Sequence, residues 1–226
     1  MPPDIQCVRN VAASAGLRLR AQDLESFSRW MVRRVHALTL PGSEEFAQLL
    51  AQDGAAGRRE RELLITQFTT GESYFFRDQG QFDLIRQKLL PELIERRAKE
   101  RTLRIWSAGC AGGEEPYSLA MLVLELASGL AGWNVLILGT DINGEALHKA
   151  RQGEYREWSF RALDAQRKQH YFVRHGDRWR IGPQLRDMVS FRSLDLVRDH
   201  FPDPEAGFER FDLILCRNVF IYLPLK

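Results

Sequence analysis

A glycine-rich segment followed by two adjacent carboxylates is the first group of residues able to do chemistry. Residues 108–116 read Ala-Gly-Cys-Ala-Gly-Gly-Glu-Glu-Pro and come directly after a short apolar run. Glycines, beginning with Gly109, let the backbone pass close to a ligand. Pro116 suits the first helical position because it has no N–H to lose there. Glu114 and Glu115 then lie at the positive end of that helix. The segment predicts a ligand-binding turn between a strand and a helix.

The same turn favours a cationic ligand over a phosphate. Its spacing is not G-x-G-x-x-G, so the dinucleotide fingerprint is absent. The carboxylates of Glu114 and Glu115 would repel a pyrophosphate, whereas they can receive an ammonium or a sulfonium group. S-adenosylmethionine carries both groups. Taken alone, the turn fits a simple strand-to-helix connection with an acidic cap equally well.

A further carboxylate, Asp141, follows a second apolar run at 135–138. At the end of such a strand it can accept hydrogen bonds from both hydroxyls of a ribose. The alternative is that Asp141 caps the helix that follows. The glycine-rich turn and Asp141 reinforce each other, and together they favour a nucleoside ligand.

Two arginines and a tyrosine are further candidates. Arg77 follows three aromatic residues and can hold a carboxylate through a bidentate pair, although composition alone favours a surface ion pair. Arg217, Asn218 and Tyr222 follow the last apolar run, at the edge where α/β sheets bind ligands. For these three, ordinary loop polarity is the alternative.

Several functional classes lack their signatures. His170 and His175 have no cysteine or acidic cluster nearby, so we expect no metal site, and there is neither a Gly-x-Ser-x-Gly elbow nor a Walker loop. Three cysteines far apart in the chain argue against a disulfide framework. There is no secretion signal and no apolar window of about 18 residues. We therefore expect a cytoplasmic protein. The net charge of +2 says little about partners.

The pattern along the chain predicts an α/β protein with two domains. An N-terminal all-α helical domain spans residues 1–72, with apolar residues at helical spacing such as Phe27 and Met31. Residues 73–226 form a Rossmann-like α/β domain with a small inserted antiparallel β subdomain at about 171–191. That domain has predicted strands at 103–108, 135–141 and 211–216, helices at 116–127 and 143–151, a hairpin at 171–181 and a further short strand at 188–191. The chain ends ten residues after Cys216. We therefore expect that C-terminal strands are missing and that this is a piece of a longer protein.

Four segments resemble the signatures of the chemotaxis receptor glutamate methyltransferase (CheR) family. They are Thr-Thr-Gly-Glu-Ser-Tyr-Phe-Phe-Arg-Asp (69–78), Trp-Ser-Ala-Gly-Cys to Gly-Glu-Glu-Pro-Tyr-Ser (106–118), Thr-Asp-Ile (140–142) and Cys-Arg-Asn-Val-Phe-Ile-Tyr (216–222). Their order and spacing match the family from about residue 10 to the end. The second and fourth segments are the most specific.

The resemblance implies the role of each site residue. Positions that match contacts to S-adenosylmethionine are Gly71, Ser73, Arg77, Gly109, Glu114, Asp141, Asp195, Leu196, Arg217 and Asn218. Arg77 and Tyr222 match residues that position the reacting carboxylate. Two positions depart from the family, which usually has Asn where this chain has Gly71 and commonly has Asn where it has Asp195. We expect one polar donor contact to be missing or supplied by backbone, and the adenine or ribose to be held differently.

The resemblance also implies a reaction and a partner. A methyl group would pass from S-adenosylmethionine to glutamate carboxylates on the cytoplasmic helices of methyl-accepting chemoreceptors, giving S-adenosylhomocysteine. Arg29, Arg33 and Arg34 form a basic helix face that can attract a glutamate-rich receptor helix. The turn at 175–177 is short, so we do not expect tethering through a receptor's C-terminal pentapeptide. We expect a monomer that binds no nucleic acid and does not insert into the membrane. The alternatives are a methyltransferase for another carboxylate and a non-catalytic regulatory module that binds an S-adenosyl ligand.

Overall fold

The computed structural model describes residues 5–69, 72–126, 130–199, 201, 203, 209–221 and 223, and these belong to two compact units. The first, here called the helical unit, comprises Met1–Thr70, Leu196–Arg198 and Asn218–Lys226. The second, the sheet unit, comprises Gly71–Asp195 and Asp199–Arg217. The predicted domain boundary between residues 72 and 73 lies beside this division and stays a prediction.

Four α-helices make up the described core of the helical unit, as the sequence predicts. They are α1 (Ile5–Ser14), α2 (Leu24–Ala37), α3 (Ser43–Ala51) and α4 (Ala55–Phe68), with a 3₁₀ turn at Ala21–Asp23. The helical spacing in α2 buries Phe27 and Met31. The ring of Trp30 lies 5.7 Å from that of Phe27 and 5.9 Å from that of Phe46 in α3. Each buried aromatic side chain contributes about 1.5–3 kcal/mol, so this cluster is a main source of cohesion between α2 and α3.

An ion pair joins α2 to α4. The Nε and Nη2 atoms of Arg34 donate to Oε2 and Oε1 of Glu60, at 2.8 and 2.6 Å. Glu60 is only 3% exposed. These bonds raise the pKa of Arg34, against an opposing effect of burial. The prediction that Arg34 belongs to a basic face for a partner is therefore wrong, because its guanidinium is committed to a buried carboxylate. Arg29 and Arg33 are exposed.

The sheet unit alternates strands with helices. Its described strands are β1 (Thr102–Ala108), β2 (Asn134–Asp141), β3 (Glu154–Tyr155), β4 (Phe172–His175), β5 (Arg178–Ile181), β6 (Val189–Ser193) and β7 (Leu213–Cys216). Its helices are α5 (Gln79–Leu84), a π turn (Ile85–Leu89), α6 (Leu90–Arg96), α7 (Glu114–Glu125), α8 (Gly144–Gln152), a 3₁₀ turn (Glu157–Phe160), α9 (Ala165–Tyr171) and α10 (Pro183–Arg186).

The main sheet is parallel, with the strand order β6-β2-β1-β7. Ala108, at the end of β1, is paired with Thr140 of β2 and with Cys216 of β7. The carboxyl ends of the three strands therefore lie side by side. Leu103, Ile105 and Ile137 are fully buried, as expected for strands whose two faces are both covered. The predicted Rossmann-like α/β architecture is confirmed.

A second, antiparallel sheet has the strand order β3-β5-β4. The predicted hairpin is present as β4 and β5, and Gly176 in its turn has φ +63°. The prediction that residues 188–191 add a strand to this small subdomain is wrong, because β6 pairs in parallel with β2. A short apolar run can enter either sheet, and nothing local to it specifies the partner strand. The third strand of the small sheet is β3, which has only two residues.

Helix α7 begins at Glu114, two residues before the predicted start at Pro116. Proline is tolerated throughout the first turn, because the N–H groups there have no intrahelical acceptor. Helix α8 agrees with its prediction. Asn143 caps its start, and Gly153 follows its end with φ +65°. No helix in the described ranges has both the length and the apolar character needed to cross a bilayer.

Replacing Arg34 by Ala should destabilise the helical unit strongly, because the Glu60 carboxylate would remain buried without its partner. Removing one member of a buried pair costs about 3–5 kcal/mol. Arg29→Ala is the matched control, since Arg29 pairs with Glu25 on an exposed face of the same helix and such a pair contributes at most about 0.5 kcal/mol. Urea unfolding followed by circular dichroism would measure both changes. Equal losses in the two variants would contradict the internal role of Arg34.

Candidate functional site

Residues at the end of β2 accept hydrogen bonds from the backbone amides of the glycine-rich turn. The N–H groups of Gly109 and Cys110 both donate to the carbonyl of Thr140, at 2.7 and 2.9 Å. The N–H of Ala111 donates to Oδ2 of Asp141 at 2.8 Å. A phosphate-binding loop needs amides that point at its ligand. Because these three amides already have acceptors in the protein, they are not available to bind a phosphate.

Asp141 holds the turn at the end of β2. Its Oδ1 accepts the N–H of Asn143 at 2.8 Å, and its Oδ2 accepts the N–H of Ala111 as described above. Burial raises the pKa of Asp141, and these backbone bonds oppose the rise. The alternative of Asp141 as the cap of α8 is wrong, since Asn143 accepts the N–H groups of Glu145 and Ala146 there. Each carboxylate oxygen has a second lone pair, so Asp141 can still accept ribose hydroxyls.

Glu114 places a buried carboxylate at the start of α7. The residue is 6% exposed, and its Oε1 accepts a hydrogen bond from the hydroxyl of Ser159 at 3.1 Å. Its Oε2 is buried and has no hydrogen-bond partner among the described residues. Burial raises the pKa of Glu114, while hydrogen bonds from its own backbone, Ser159 and Ser73 oppose the rise. An unsatisfied buried acceptor costs about 1–3 kcal/mol, which a donor group on a ligand would recover.

Two adjacent glycines precede this carboxylate in a tightly packed part of the turn. A Cβ atom at Gly112 would lie 2.9 Å from Oε2 of Glu114. Gly113 has φ +89°, and a Cβ atom there would lie 2.8 Å from the Cβ of Ala150 in α8. The hydroxyl of Tyr155 donates to the carbonyl of Gly112 at 2.8 Å and helps to fix the turn. The positive φ and the close approach to α8 therefore require glycine at position 113, whereas a side chain at position 112 would have to displace the carboxylate of Glu114.

These features fit an S-adenosyl ligand better than a dinucleotide. The open Oε2 of Glu114 can accept a bond from an ammonium group, and Asp141 can accept bonds from ribose hydroxyls. Both carboxylates come from the carboxyl edge of the parallel sheet, where α/β proteins bind ligands. Within the described ranges, no three His, Cys, Asp or Glu side chains are grouped as a metal site would require.

Arg77 lies in a strained segment of the sheet unit. Phe76 before it and Asp78 after it have φ values of +56° and +62°. The guanidinium of Arg77 donates to the carbonyl of Glu72 at 2.9 Å, and the side chain is half-buried. This bond places the guanidinium beside the polar segment that contains Ser73. A hydrogen bond from the hydroxyl of Ser73 opposes the rise in the pKa of Glu114.

Arg217, directly after β7, makes its described contacts with protein groups. Its Nη1 donates to Oε2 of Glu115 at 2.9 Å. Its Nη2 donates to the carbonyl of Arg77 at 2.5 Å and to Oδ2 of Asp78 at 2.8 Å. The structure thus joins Arg217 to the Arg77 segment. A direct contact between Arg217 and the methyl donor stays a prediction.

Of the remaining predicted site residues, three lie in the described part of the chain and two lie outside it. Asp195 follows β6, where its N–H donates to Asp199 at 2.8 Å, and it belongs to the sheet unit. Leu196 and Asn218 group with the helical unit. Gly71 and Tyr222 lie outside the described residues. The ligand contacts of these five residues stay predictions.

Two residues that support the turn are not among the predicted site residues. Ser159 binds the carboxylate of Glu114, and Tyr155 binds the carbonyl of Gly112. Both follow α8, more than 40 residues after the turn in the chain. No motif or spacing marks them, because the fold of the intervening residues brings them there.

The fold and the turn are those expected of an α/β protein that binds a nucleoside at the carboxyl edge of its sheet. Comparison with known families makes this assignment specific. Residues 71–226 match the family model described as CheR methyltransferase, SAM binding domain, SAM being S-adenosylmethionine. The chain belongs to the CheR methyltransferase family, and S-adenosylmethionine is the cofactor that this domain implies.

Individual relatives agree with the family model. The chain is 41% identical over 167 residues to chemotaxis protein methyltransferase 1 of Pseudomonas aeruginosa, which covers 72% of this chain and 59% of that protein. It is 38% identical over 167 residues to the chemotaxis protein methyltransferase of Borreliella burgdorferi, covering 72% and 58%. A probable chemotaxis protein methyltransferase of Rhizobium etli is 31% identical over 217 residues, covering 94% and 78%. The matched region thus spans less than two thirds of the first two relatives.

Replacing Gly113 by Ala should destabilise the sheet unit, because the new Cβ atom would meet Ala150 and the backbone would keep a positive φ. A left-handed residue costs about 1–2 kcal/mol, and overpacking costs about 1–3 kcal/mol more. Gly80→Ala is the control, since nothing lies within 4 Å of a Cβ atom at that position of α5, and its effect should stay within about 1 kcal/mol. Thermal unfolding of both variants would measure the difference. A Gly113→Ala protein as stable as the control would show that the turn relaxes.

Proposed function

We propose that this chain is the catalytic part of an S-adenosylmethionine-dependent protein-glutamate O-methyltransferase. Its substrates would be glutamate carboxylates on the cytoplasmic helices of chemoreceptors in a chemosensory pathway. Relatives named as chemotaxis protein methyltransferases support the reaction class. The proposed function requires the chain to work in the cytoplasm.

One observation carries the proposal. The buried Oε2 of Glu114 has no partner among the described residues, and it lies beside a turn whose first amides are already bonded to β2. This combination is unfavourable for a phosphate and favourable for the ammonium group of an amino-acid-like ligand. Such a ligand, with a ribose within reach of Asp141, is the methyl donor of the family.

The reaction asks little acid–base chemistry of the protein. S-adenosylmethionine supplies an electrophilic methyl group on a sulfonium. An ionised glutamate side chain is already a nucleophile, so no general base is required. The protein would gain rate by orienting the acceptor carboxylate and excluding water from it. The resemblance assigns the orientation to Arg77 and Tyr222. Arg77 must hold the carboxylate without neutralising it, since tight pairing in the ground state would slow the reaction.

Docking of the receptor helix would use α2. Arg29 and Arg33 are exposed there, and a basic face complements a glutamate-rich helix. Arg34 is not part of this face, because it is paired with Glu60. The turn between β4 and β5 consists of only two residues, Gly176 and Asp177. We therefore propose docking through α2 without a peptide tether, by a chain that acts as a monomer.

Replacing Arg77 by Ala should remove most methyl transfer, because the acceptor would lose its orienting cation. We expect a fall of roughly 100-fold or more in kcat/KM, the range that loss of positioning produces. Radioactive methyl transfer from S-adenosylmethionine to a purified receptor cytoplasmic fragment would measure it. Arg86→Ala is the control, since Arg86 is half exposed and its ion pair with Asp83 is long, at 3.8 Å.

Calorimetric titration with S-adenosylhomocysteine separates this function from its alternatives. Binding together with transfer to the receptor fragment would support the proposal. Binding without transfer to any carboxylate would indicate a regulatory module. Transfer to other carboxylates alone would indicate a different substrate. A folded wild-type chain that does not bind would contradict the donor site itself.

Binding of S-adenosylhomocysteine should weaken as the pH falls through the raised pKa of Glu114. Burial raises that pKa in the free chain, so lowering the pH neutralises the carboxylate that receives the ammonium group. Binding at a pH near this pKa should therefore release a proton. The same shift makes the ionised form costly in the free chain, whose stability falls as the pH rises through this range. Calorimetry from about pH 5 to about pH 8 in buffers of different ionisation enthalpy would measure the proton release.

The matched variant for this experiment is Glu114→Gln, which keeps the shape of the side chain and cannot ionise. Its affinity should be lower than that of the wild type and nearly independent of pH across the same range. A pH dependence that persists in Glu114→Gln would assign the titration to another group, with Asp141 the next to test because its pKa is also raised by burial.

A further inference from the structure

The backbone conformation on both sides of Arg77 is strained and needs support from other parts of the sheet unit. Phe76 is 5% exposed and has φ +56°, and Asp78 has φ +62°. A left-handed conformation is rare for a bulky residue such as phenylalanine, and strained residues persist only when their surroundings over-determine them. Contacts from elsewhere in the sheet unit must therefore fix the backbone on both sides of Arg77.

Two sets of contacts supply this support. On the amino-terminal side, the N–H of Phe76 donates to the hydroxyl of Ser118 in α7 at 3.0 Å. On the carboxyl-terminal side, Arg217 binds the carbonyl of Arg77 and the carboxylate of Asp78 through a single nitrogen, Nη2. The side chain of Arg217 is only 12% exposed, so it acts as an internal brace.

Glu115 fixes this brace from the opposite side. Its Oε2 accepts a bond from Nη1 of Arg217 at 2.9 Å, and its Oε1 accepts one from the hydroxyl of Ser107 in β1 at 2.7 Å. The carboxylate of Glu115 is 14% exposed. The carboxylate of Glu115 cannot shift without breaking its bond to Ser107 or its bond to Arg217, so it sets the position of the guanidinium.

We propose that Glu115 is a positioning residue for methyl transfer, which acts through Arg217 to fix the backbone of Arg77. This inference rests on the proposed function, in which Arg77 holds the acceptor carboxylate. It gives the two neighbouring glutamates of the turn separate tasks. Glu114 faces the methyl donor, and Glu115 orders the segment that holds the acceptor. A displacement of about 1 Å in a positioning group can cost about 100-fold in rate.

The first test is Glu115→Gln, an isosteric change that removes the charge and weakens the bond to Arg217. We expect kcat for the receptor fragment to fall by roughly 10- to 100-fold, with the Kd of S-adenosylhomocysteine changed less than about threefold. Asp212→Asn is the matched control. Asp212 is a buried carboxylate that binds Arg97 at 2.6 Å, and it lies directly before β7, whereas Arg217 lies directly after that strand. The control should lose stability without a selective loss of kcat.

A double-mutant cycle separates positioning from a general structural role. If Glu115 acts through Arg77, Glu115→Gln should cause no further loss of kcat/KM in the Arg77→Ala background. Equal fold-losses in the two backgrounds would overturn the proposal. A loss of S-adenosylhomocysteine affinity as large as the loss of kcat would also overturn it, by assigning Glu115 and Arg217 to the donor site.

A measurement independent of activity keeps this inference distinct from the proposed function. Hydrogen exchange monitored by mass spectrometry should show faster exchange of residues 74–79 in Glu115→Gln than in the wild type, and no change there in Asp212→Asn. Unchanged exchange in this segment would overturn the positioning role whether or not the wild type transfers methyl groups. If the wild type transfers no methyl group but Glu115→Gln still shows the faster exchange, only the proposed function is contradicted.

Discussion

The bonds between the end of β2 and the glycine-rich turn are the constraint on which the site depends. Thr140 accepts two amides of the turn with one carbonyl, and Asp141 accepts a third with its side chain. These bonds use up three of the donors with which a glycine-rich loop could bind phosphate. The carboxylates of Glu114 and Asp141 add hydrogen-bond acceptors at the same edge. The preference for a cationic ligand therefore follows from how the turn is held, as well as from its acidic residues.

Sequence patterns predicted the parts of the fold that are encoded locally. The apolar runs gave β1, β2 and β7, and Asn143 with Gly153 gave both ends of α8, because caps and buried strands depend on neighbouring residues. The partner of residues 188–191 was not predictable in this way. A four-residue apolar run pairs with whichever strand the rest of the chain brings to it, and here that strand is β2. The two-residue strand β3 is shorter than any pattern can detect.

The site shows the same division. The glycines, Glu114 and Asp141 could be identified because their residue types are unusual at the end of a strand. Ser159 and Tyr155 carry no such signal, since they reach the turn only through the packing of the residues after α8. The Arg34–Glu60 pair is a related case. An arginine on an amphipathic helix reads as a solvated residue, and only the position of α4 shows that its carboxylate partner is buried.

The arrangement of charge in the sheet unit suits a reaction between two ions. A carboxylate attacking a sulfonium loses charge on both partners, so water stabilises the reactants more than the transition state. An enzyme for this reaction benefits from fixing its own charges in advance, because free side chains would follow the substrate charges and stabilise the ground state. Glu115 is paired with Arg217, and Arg217 with Asp78, so these charges already have partners within the protein. In the proposed reaction, Glu114 and Arg77 are the residues left to act on the reactants, and each is held by hydrogen bonds to other parts of the sheet unit.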